Sequence, residues 1–346
     1  MWAAPLGLRT CERVECHARP QANSLRYREN PVRSIVIFSG NAHVELAKEI
    51  CQRLKTRLSP TTINRFSNDC LGVQLKANCR EADVFIIQPL VPPVQEYLME
   101  LLLMLDAARG ASAARITAVI PHYAYARSDK KDAPRISIAA RLVADLLATA
   151  GANRILTLTL HSPQAHGFFS VPVDHMNALK VLAAHFRRRN LKNTVVVSPD
   201  LGNAKSATHF ARMLNLPVAA ANKQRLSDDK VVIDAIVGDV DGKNVIVIDD
   251  EIANGGTIIE VLRKLRERQV KRITVVCTHG LFTGEAINRL RAQPDIEEIV
   301  TTNTVPIAKE KRLPNMRVLS VAPLLAETIN RIHVGKSVSA LFDGKM

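Results

Sequence analysis

Asp249 and Asp250 stand side by side, and Gly255, Gly256 and Thr257 follow shortly after them. Paired carboxylates accept hydrogen bonds from sugar hydroxyls or take a divalent cation. Paired glycines let the backbone turn its N–H groups inward, and a helix that starts there adds partial positive charge. Together they make a phosphate cradle. Gly-Gly-Thr alone reads as an ordinary turn, and the aspartates at fixed spacing move the reading toward a ligand. A second group is cationic. Arg127, Lys130, Lys131 and Arg135 fall within nine residues, a composition that suits a polyphosphate clamp or a solvated loop. Residue types alone leave both open. His161 and Asp200 are suited to sharing a divalent cation, although magnesium prefers oxygen and a lone histidine reads equally as a packing residue. Lys223 and Arg225 are two cations, two apart, which by themselves read as a basic loop.

Each group is placed by an apolar run. Val245, Ile246, Val247 and Ile248 form a buried parallel strand that ends at the aspartates. Ile258, Ile259, Val261, Leu262 and Leu265 then recur at helical spacing. The same rhythm holds through the chain. Strands are expected at residues 34–38, 83–88, 115–121, 154–160, 194–198 and 271–277. Helices are expected at 44–58, 94–108, 138–149, 177–189 and 322–332. His161, Asp200 and the 121–135 segment each follow such a strand, where open α/β sheets bind ligands. Alternation of this kind predicts an α/β fold with mainly parallel sheets flanked by helices. The 346 residues suit two domains, with a boundary near residues 171–177.

The chain is 47% hydrophobic, enough for sizeable cores, and no apolar run approaches a membrane span. A net charge of +14 suits an enzyme of anionic substrates. Nucleic acid is the weaker reading, because only 4% of residues are aromatic and no stacking platform is evident. Six dispersed cysteines without a CxxC point to reduced thiols and a cytoplasmic setting. Residues 1–33 mix arginines with prolines and acids and read as a loose extension. Residues 336–346 read as a tail.

The ordered set of motifs resembles ribose-phosphate diphosphokinase, the phosphoribosyl pyrophosphate (PRPP) synthetase family. The resemblance covers residues 34–335. It rests on Phe38-Ser39-Gly40, Tyr125-Ala126-Arg127 through Asp132, Leu160-His161-Ser162, Ser198-Pro199-Asp200, the 245–257 stretch and Thr278-His279-Gly280. It implies two tandem phosphoribosyltransferase-like domains, residues 34–174 on the ATP side and 175–335 on the ribose 5-phosphate side. It implies transfer of a diphosphoryl group from Mg-ATP to ribose 5-phosphate, giving PRPP and AMP, in a homodimer built into a hexamer. It places ATP at Phe66, Asn68, Arg127 and Ser128, the first two supplied by a neighbouring subunit, and we group Asp132 and Arg135 with them. It places Mg²⁺ at His161 and Asp200, and ribose 5-phosphate at Asp249, Asp250, Asn254, Gly255, Gly256 and Thr257. Lys223 and Arg225 become a mobile catalytic pair.

The chain departs from the family at Cys70, Ser128, Thr159, Asn203, Ala253 and Asn254. Ala253 cannot accept a hydrogen bond, and Asn254 replaces a hydroxyl with an amide. The charged set is intact, which favours an active enzyme over a non-catalytic synthetase-associated subunit. A phosphoribosyltransferase that consumes PRPP would need only one such domain.

Overall fold

The computed structural model describes residues 33–225 and 231–341, without the side chains of residues 223–225 and 231–232. Residues 1–32 of the expected 1–33 extension therefore lie outside the described residues. The chain opens with β1 (Ile35–Ser39), α1 (Val44–Leu54), β2 (Thr61–Arg65), β3 (Leu71–Leu75) and β4 (Asp83–Ile87). Next come α2 (Val94–Gly110), β5 (Arg115–Ile120), α3 (Ala139–Ala150), β6 (Arg154–Leu158) and β7 (Val173–Met176). The remainder is α4 (Leu179–Phe186), β8 (Thr194–Ser198), α5 (Ala204–Leu214), β9 (Val218–Arg225), β10 (Val231–Val237), β11 (Asn244–Ile252) and α6 (Gly256–Glu267). It closes with β12 (Arg272–Gly280), α7 (Ala286–Arg291), β13 (Ile296–Thr302), β14 (Met316–Leu319) and α8 (Ala322–His333).

Two sheets carry the molecule. The first is wholly parallel in the order β1-β4-β5-β6-β7. The second runs β10-β9-β8-β11-β12-β13-β14 and is parallel except where β10 pairs antiparallel with β9. Parallel sheets need cover on both faces, and both have it. Residues Val84, Ile86, Ala118 and Ile120 of the first sheet pack on α2 and α3, while Phe85, Ile87, Val119 and Leu156 pack on α1 and α8. In the second sheet, Val195, Val245, Val247 and Val275 face α6, and Val196, Ile246, Ile248 and Val276 face α4 and α5. Alternate residues of one strand thus serve two cores, which is why β11 is apolar at successive positions.

Two expectations needed adjustment, and a third segment gained detail. Helix α1 stops at Leu54 because Lys55 takes the left-handed conformation at φ 54°, and the next residues return to pair Leu58 with Ile37. The segment around Phe66 and Asn68 is the turn of an antiparallel hairpin, β2–β3. Strand β11 does not end before the aspartates: it continues through Asp249, Asp250 and Glu251 to Ile252. Its partner β12 runs as far, pairing Glu251 with His279 and Ile252 with Gly280. The continuing ladder outweighs the poor strand propensity of acidic residues.

Helix α8 follows the last strand of the second sheet yet packs on α1 and the first sheet. Its end is pinned by Asp83, 1% exposed, which accepts hydrogen bonds from Arg115 and from His333 Nδ1 at 2.9 Å. The Arg115 guanidinium also donates to the Ile332 carbonyl at 2.9 Å.

Candidate active site

The carboxyl ends of β5, β6, β8, β11 and β12 deliver the polar residues of both sheets to one place. The sharpest junction is His161, just past β6, whose Nδ1 lies 2.6 Å from Asp250 Oδ2 at the end of β11. Burial works to raise Asp250, but the hydrogen bond and charge of His161 outweigh it and bring the carboxyl to about 2. The same hydrogen bond raises His161, against its burial. Asp249 behaves oppositely. Burial first, then the charges of Asp250 and Asp200, push it well above the usual carboxylate range.

Asn203 ties two of these acids together. Its backbone N–H donates to Asp200 Oδ1 at 2.8 Å, and its Nδ2 donates to the Ile248 carbonyl at 3.1 Å and to Asp249 Oδ1 at 3.4 Å. A glycine at this position would leave the second link unmade. Beneath Asp249, in register with it on β12, Cys277 is fully buried, and burial pushes its thiol up to about 12. It is a packing group with no role as a nucleophile.

The glycine loop has the expected geometry. Gly255 adopts φ +77° and caps α6, which starts at Gly256. The Asn254 side chain accepts from the Gly256 N–H at 3.0 Å, and the Asn254 carbonyl accepts from Arg289 Nη1 at 3.2 Å. Asn254 therefore acts through its oxygen as an acceptor that folds the loop. Thr283 N–H, donating to the Ala253 carbonyl at 3.0 Å, holds the loop from below.

On the first sheet, β5 leads through His122 to a short turn of 3-10 helix ending at Arg127. Arg127 Nη1 lies 3.3 Å from Glu251 Oε1, so it joins the strand that carries Asp249 and Asp250. Ser128 turns inward: its hydroxyl donates to the Ser137 carbonyl and accepts from the Ala139 N–H, pinning the charged loop to the start of α3. Asp132 lies on the open surface 3.5 Å from Lys130, and Arg135 is also exposed. Phe66 and Asn68 are not joined to this cluster by any interaction among the described residues. Phe66 is 54% exposed at the hairpin turn, and Asn68 Oδ1 accepts from Cys70 N–H within that turn. Lys223 and Arg225 fall on the last residues of β9, and their side chains lie outside the described residues.

Sequence reasoning passed over Glu251 and His122, and noted Asn203 only as a departure from the family. Glu251 accepts from His122 Nε2 at 3.1 Å as well as from Arg127. The signal for it was available: a third consecutive acid at the end of a buried strand.

Among the described residues, no three His, Cys, Asp or Glu side chains converge as a self-contained metal cage. Asp249, pushed up by burial and then by its acidic neighbours, nevertheless stands among several acids whose negative charge a cation would relieve. Magnesium commonly takes few protein ligands and completes its shell with phosphate oxygens and water. The donor set fits that mode.

Among the described residues, no helix is long and apolar enough to cross a membrane. The described cysteines, Cys51, Cys70, Cys79 and Cys277, are free thiols.

Known proteins share this arrangement. Residues 35–151 match the N-terminal domain of ribose phosphate pyrophosphokinase, and residues 224–343 match the phosphoribosyl synthetase-associated domain. A Deinococcus radiodurans ribose-phosphate pyrophosphokinase is 49% identical over 313 residues, covering 89% of this chain and 98% of the relative. A Streptomyces coelicolor chain that bears the same name provisionally is 62% identical over 314 residues, covering 91% and 99%. The crystal structure of a phosphoribosylpyrophosphate synthetase from Mycobacterium smegmatis superposes with a TM-score of 0.82 at 42% identity, covering 87% of this chain and 99% of that one.

Proposed function

The chain belongs to the ribose-phosphate pyrophosphokinase family, and from that premise we propose how its residues divide the reaction. The enzyme transfers the diphosphoryl group of ATP to the anomeric hydroxyl of ribose 5-phosphate. The anomeric oxygen bonds to the β-phosphorus, the bridging oxygen leaves with AMP, and the hydroxyl proton is released. Such transfers depend on positioning and on cations that meet developing charge, more than on covalent chemistry.

Residues 34–174 take ATP and residues 175–335 take ribose 5-phosphate. The observation that supports one site shared by both halves is the 2.6 Å contact between His161 and Asp250, which brings the ends of the two sheets together. Arg127 grips the triphosphate, and Arg135 and Asp132 border it. Ser128 acts by fixing the loop that carries them. Phe66 and Asn68, exposed on their hairpin, complete an adenine site in a neighbouring copy, which makes the working enzyme a homo-oligomer, a dimer and then a hexamer. Asp249 and Asp250 accept hydrogen bonds from ribose hydroxyls. Gly255, Gly256 and Thr257 receive the 5-phosphate at the positive end of α6, while Asn254 holds their loop in shape. His161 and Asp200 would hold Mg²⁺, which supplies charge neutralisation of the phosphates. Lys223 and Arg225, at the end of β9, stabilise charge on the transferred group. The free thiols are consistent with a cytoplasmic setting.

The test is direct. Purified protein with Mg-ATP and ribose 5-phosphate should release AMP and PRPP in equal amounts. Absence of AMP above background would leave a non-catalytic synthetase-associated subunit as the reading. Lys223→Ala should lower turnover by on the order of 10²–10³, about 2–4 kcal/mol of transition-state stabilisation. ATP binding should fall far less. Equal losses would place Lys223 on ground-state ATP only.

A further inference from the structure

Two buried groups behind Arg127 form with it a unit that the reaction as described does not use. Glu251 is 10% exposed in its side chain, and its two oxygens face Arg127 Nη1 at 3.3 Å and His122 Nε2 at 3.1 Å. His122 is 3% exposed, and its Nδ1 lies 2.7 Å from the Leu90 carbonyl. A carbonyl has no proton to give, so Nδ1 must be the donor there. Nε2 then faces a carboxylate, and that contact also needs a proton. A neutral imidazole with Nδ1–H has none at Nε2. One further proton must therefore lie between His122 and Glu251, on one or the other.

The neighbouring histidine shows the contrast. His279 from β12 stacks edge-on against His122 at 4.9 Å. Its Nε2 faces the Thr159 carbonyl at 2.9 Å and its Nδ1 faces the Thr304 hydroxyl at 2.9 Å. A hydroxyl can donate, so a neutral ring satisfies both contacts, and burial holds His279 down at about 4. The groups facing the His122–Glu251 pair are thus neutral His279 from β12, Arg127 from the turn after β5, and His161 with Asp250 beyond Glu251. Burial works to raise Glu251, but the hydrogen bond of His122 and the charges of His122 and Arg127 hold it below the usual range.

Charge counting gives the consequence. Arg127 paired with Glu251 alone is neutral. With the extra proton on the pair, the three residues together carry one positive charge. We propose that His122 and Glu251 are positioning residues that share a proton, so that Glu251 orients the Arg127 guanidinium without cancelling its charge toward the ATP triphosphate. The half-exposed Arg127 side chain leaves its other N–H groups for phosphate oxygens. This rests on the assignment of Arg127 to ATP.

The experiment compares KM for ATP, kcat and melting temperature in His122→Ala, Glu251→Gln, the double variant and Arg127→Ala. His122→Ala strips the proton and leaves a bare carboxylate against Arg127. KM for ATP should rise about tenfold, with kcat within about threefold. Adding Glu251→Gln removes that carboxylate and should bring KM back to within about threefold of wild type. A purely structural role would make the two losses add. A double variant with KM equal to or above that of His122→Ala overturns the proposal. So does an unchanged KM in His122→Ala when Arg127→Ala raises it. An unchanged KM in Arg127→Ala sinks the ATP assignment and the proposal with it. His122→Asn, smaller but polar, is run beside His122→Ala so that a folding failure of the latter leaves the comparison intact.

Discussion

At Gly255 the backbone sits at φ +77°, where a Cβ costs about 1–2 kcal/mol. The added methyl would have room, its nearest neighbour being Ala286 at 3.7 Å, so strain is the whole effect. Gly255→Ala should raise KM for ribose 5-phosphate about fivefold to tenfold, leaving KM for ATP unchanged. Substrate-dependence kinetics check this, and a matching rise for ATP would mean the loop serves both ligands. Residues such as Asp249, Asp250 and Gly255 were legible in the sequence because their chemistry is local: acids at a strand end, then a turn that needs glycine. His122, Asn203 and Glu251 were not. His122 and Asn203 are lone polar residues and Glu251 is the third of a run of acids, and the meaning of each comes from what the fold sets against it. Glu251 has no partner within the strand, and both its hydrogen-bonding partners follow β5 of the other sheet.

Among the elements, β13 and α4 are joined by a buried charge cluster. Glu298, 10% exposed in its side chain, accepts from both guanidinium nitrogens of Arg189, at 2.6 and 3.0 Å, and lies 3.2 Å from His185 Nε2. Burial works to raise Glu298, but these partners lower it below its ordinary 4.5. A carboxyl lowered on folding stabilises the protein above its unfolded pKa, and that contribution is lost as pH falls through the folded value. Arg189 is partly exposed, so Glu298→Gln should cost only about 1–2 kcal/mol at neutral pH. The gap from wild type should shrink below pH 4.5. Denaturant titrations at neutral and acid pH measure this, and a gap independent of pH would show that shape, not charge, matters at Glu298. Element types and order were legible from periodicity for most of the chain, but β3 and β7 were not expected as strands. Ends were not legible: β11 continues through three acids because β12 pairs with it, and no property of residues 249–251 reveals a partner strand.

For the whole molecule, α8 is decisive. Leu325 is fully buried in the core shared with α1, β1 and β4. Leu325→Ala should cost about 2–5 kcal/mol and lower the midpoint of a single unfolding transition seen by every probe. Separate transitions for the two sheets would contradict a joint core. The α/β class and its two successive sheets could be read from the alternating apolar runs. The return of α8 could not, since an amphipathic helix does not specify which sheet covers its face. That return has a consequence for the order of synthesis. The first sheet is translated early, but the helix that seals one of its faces is translated after all fourteen strands of the described residues. Until then Phe85, Ile87, Val119 and Leu156 lack part of their cover. A nascent chain halted after β14 should therefore bind chaperones through that face, and a circular permutant that begins with α8 should release from them sooner.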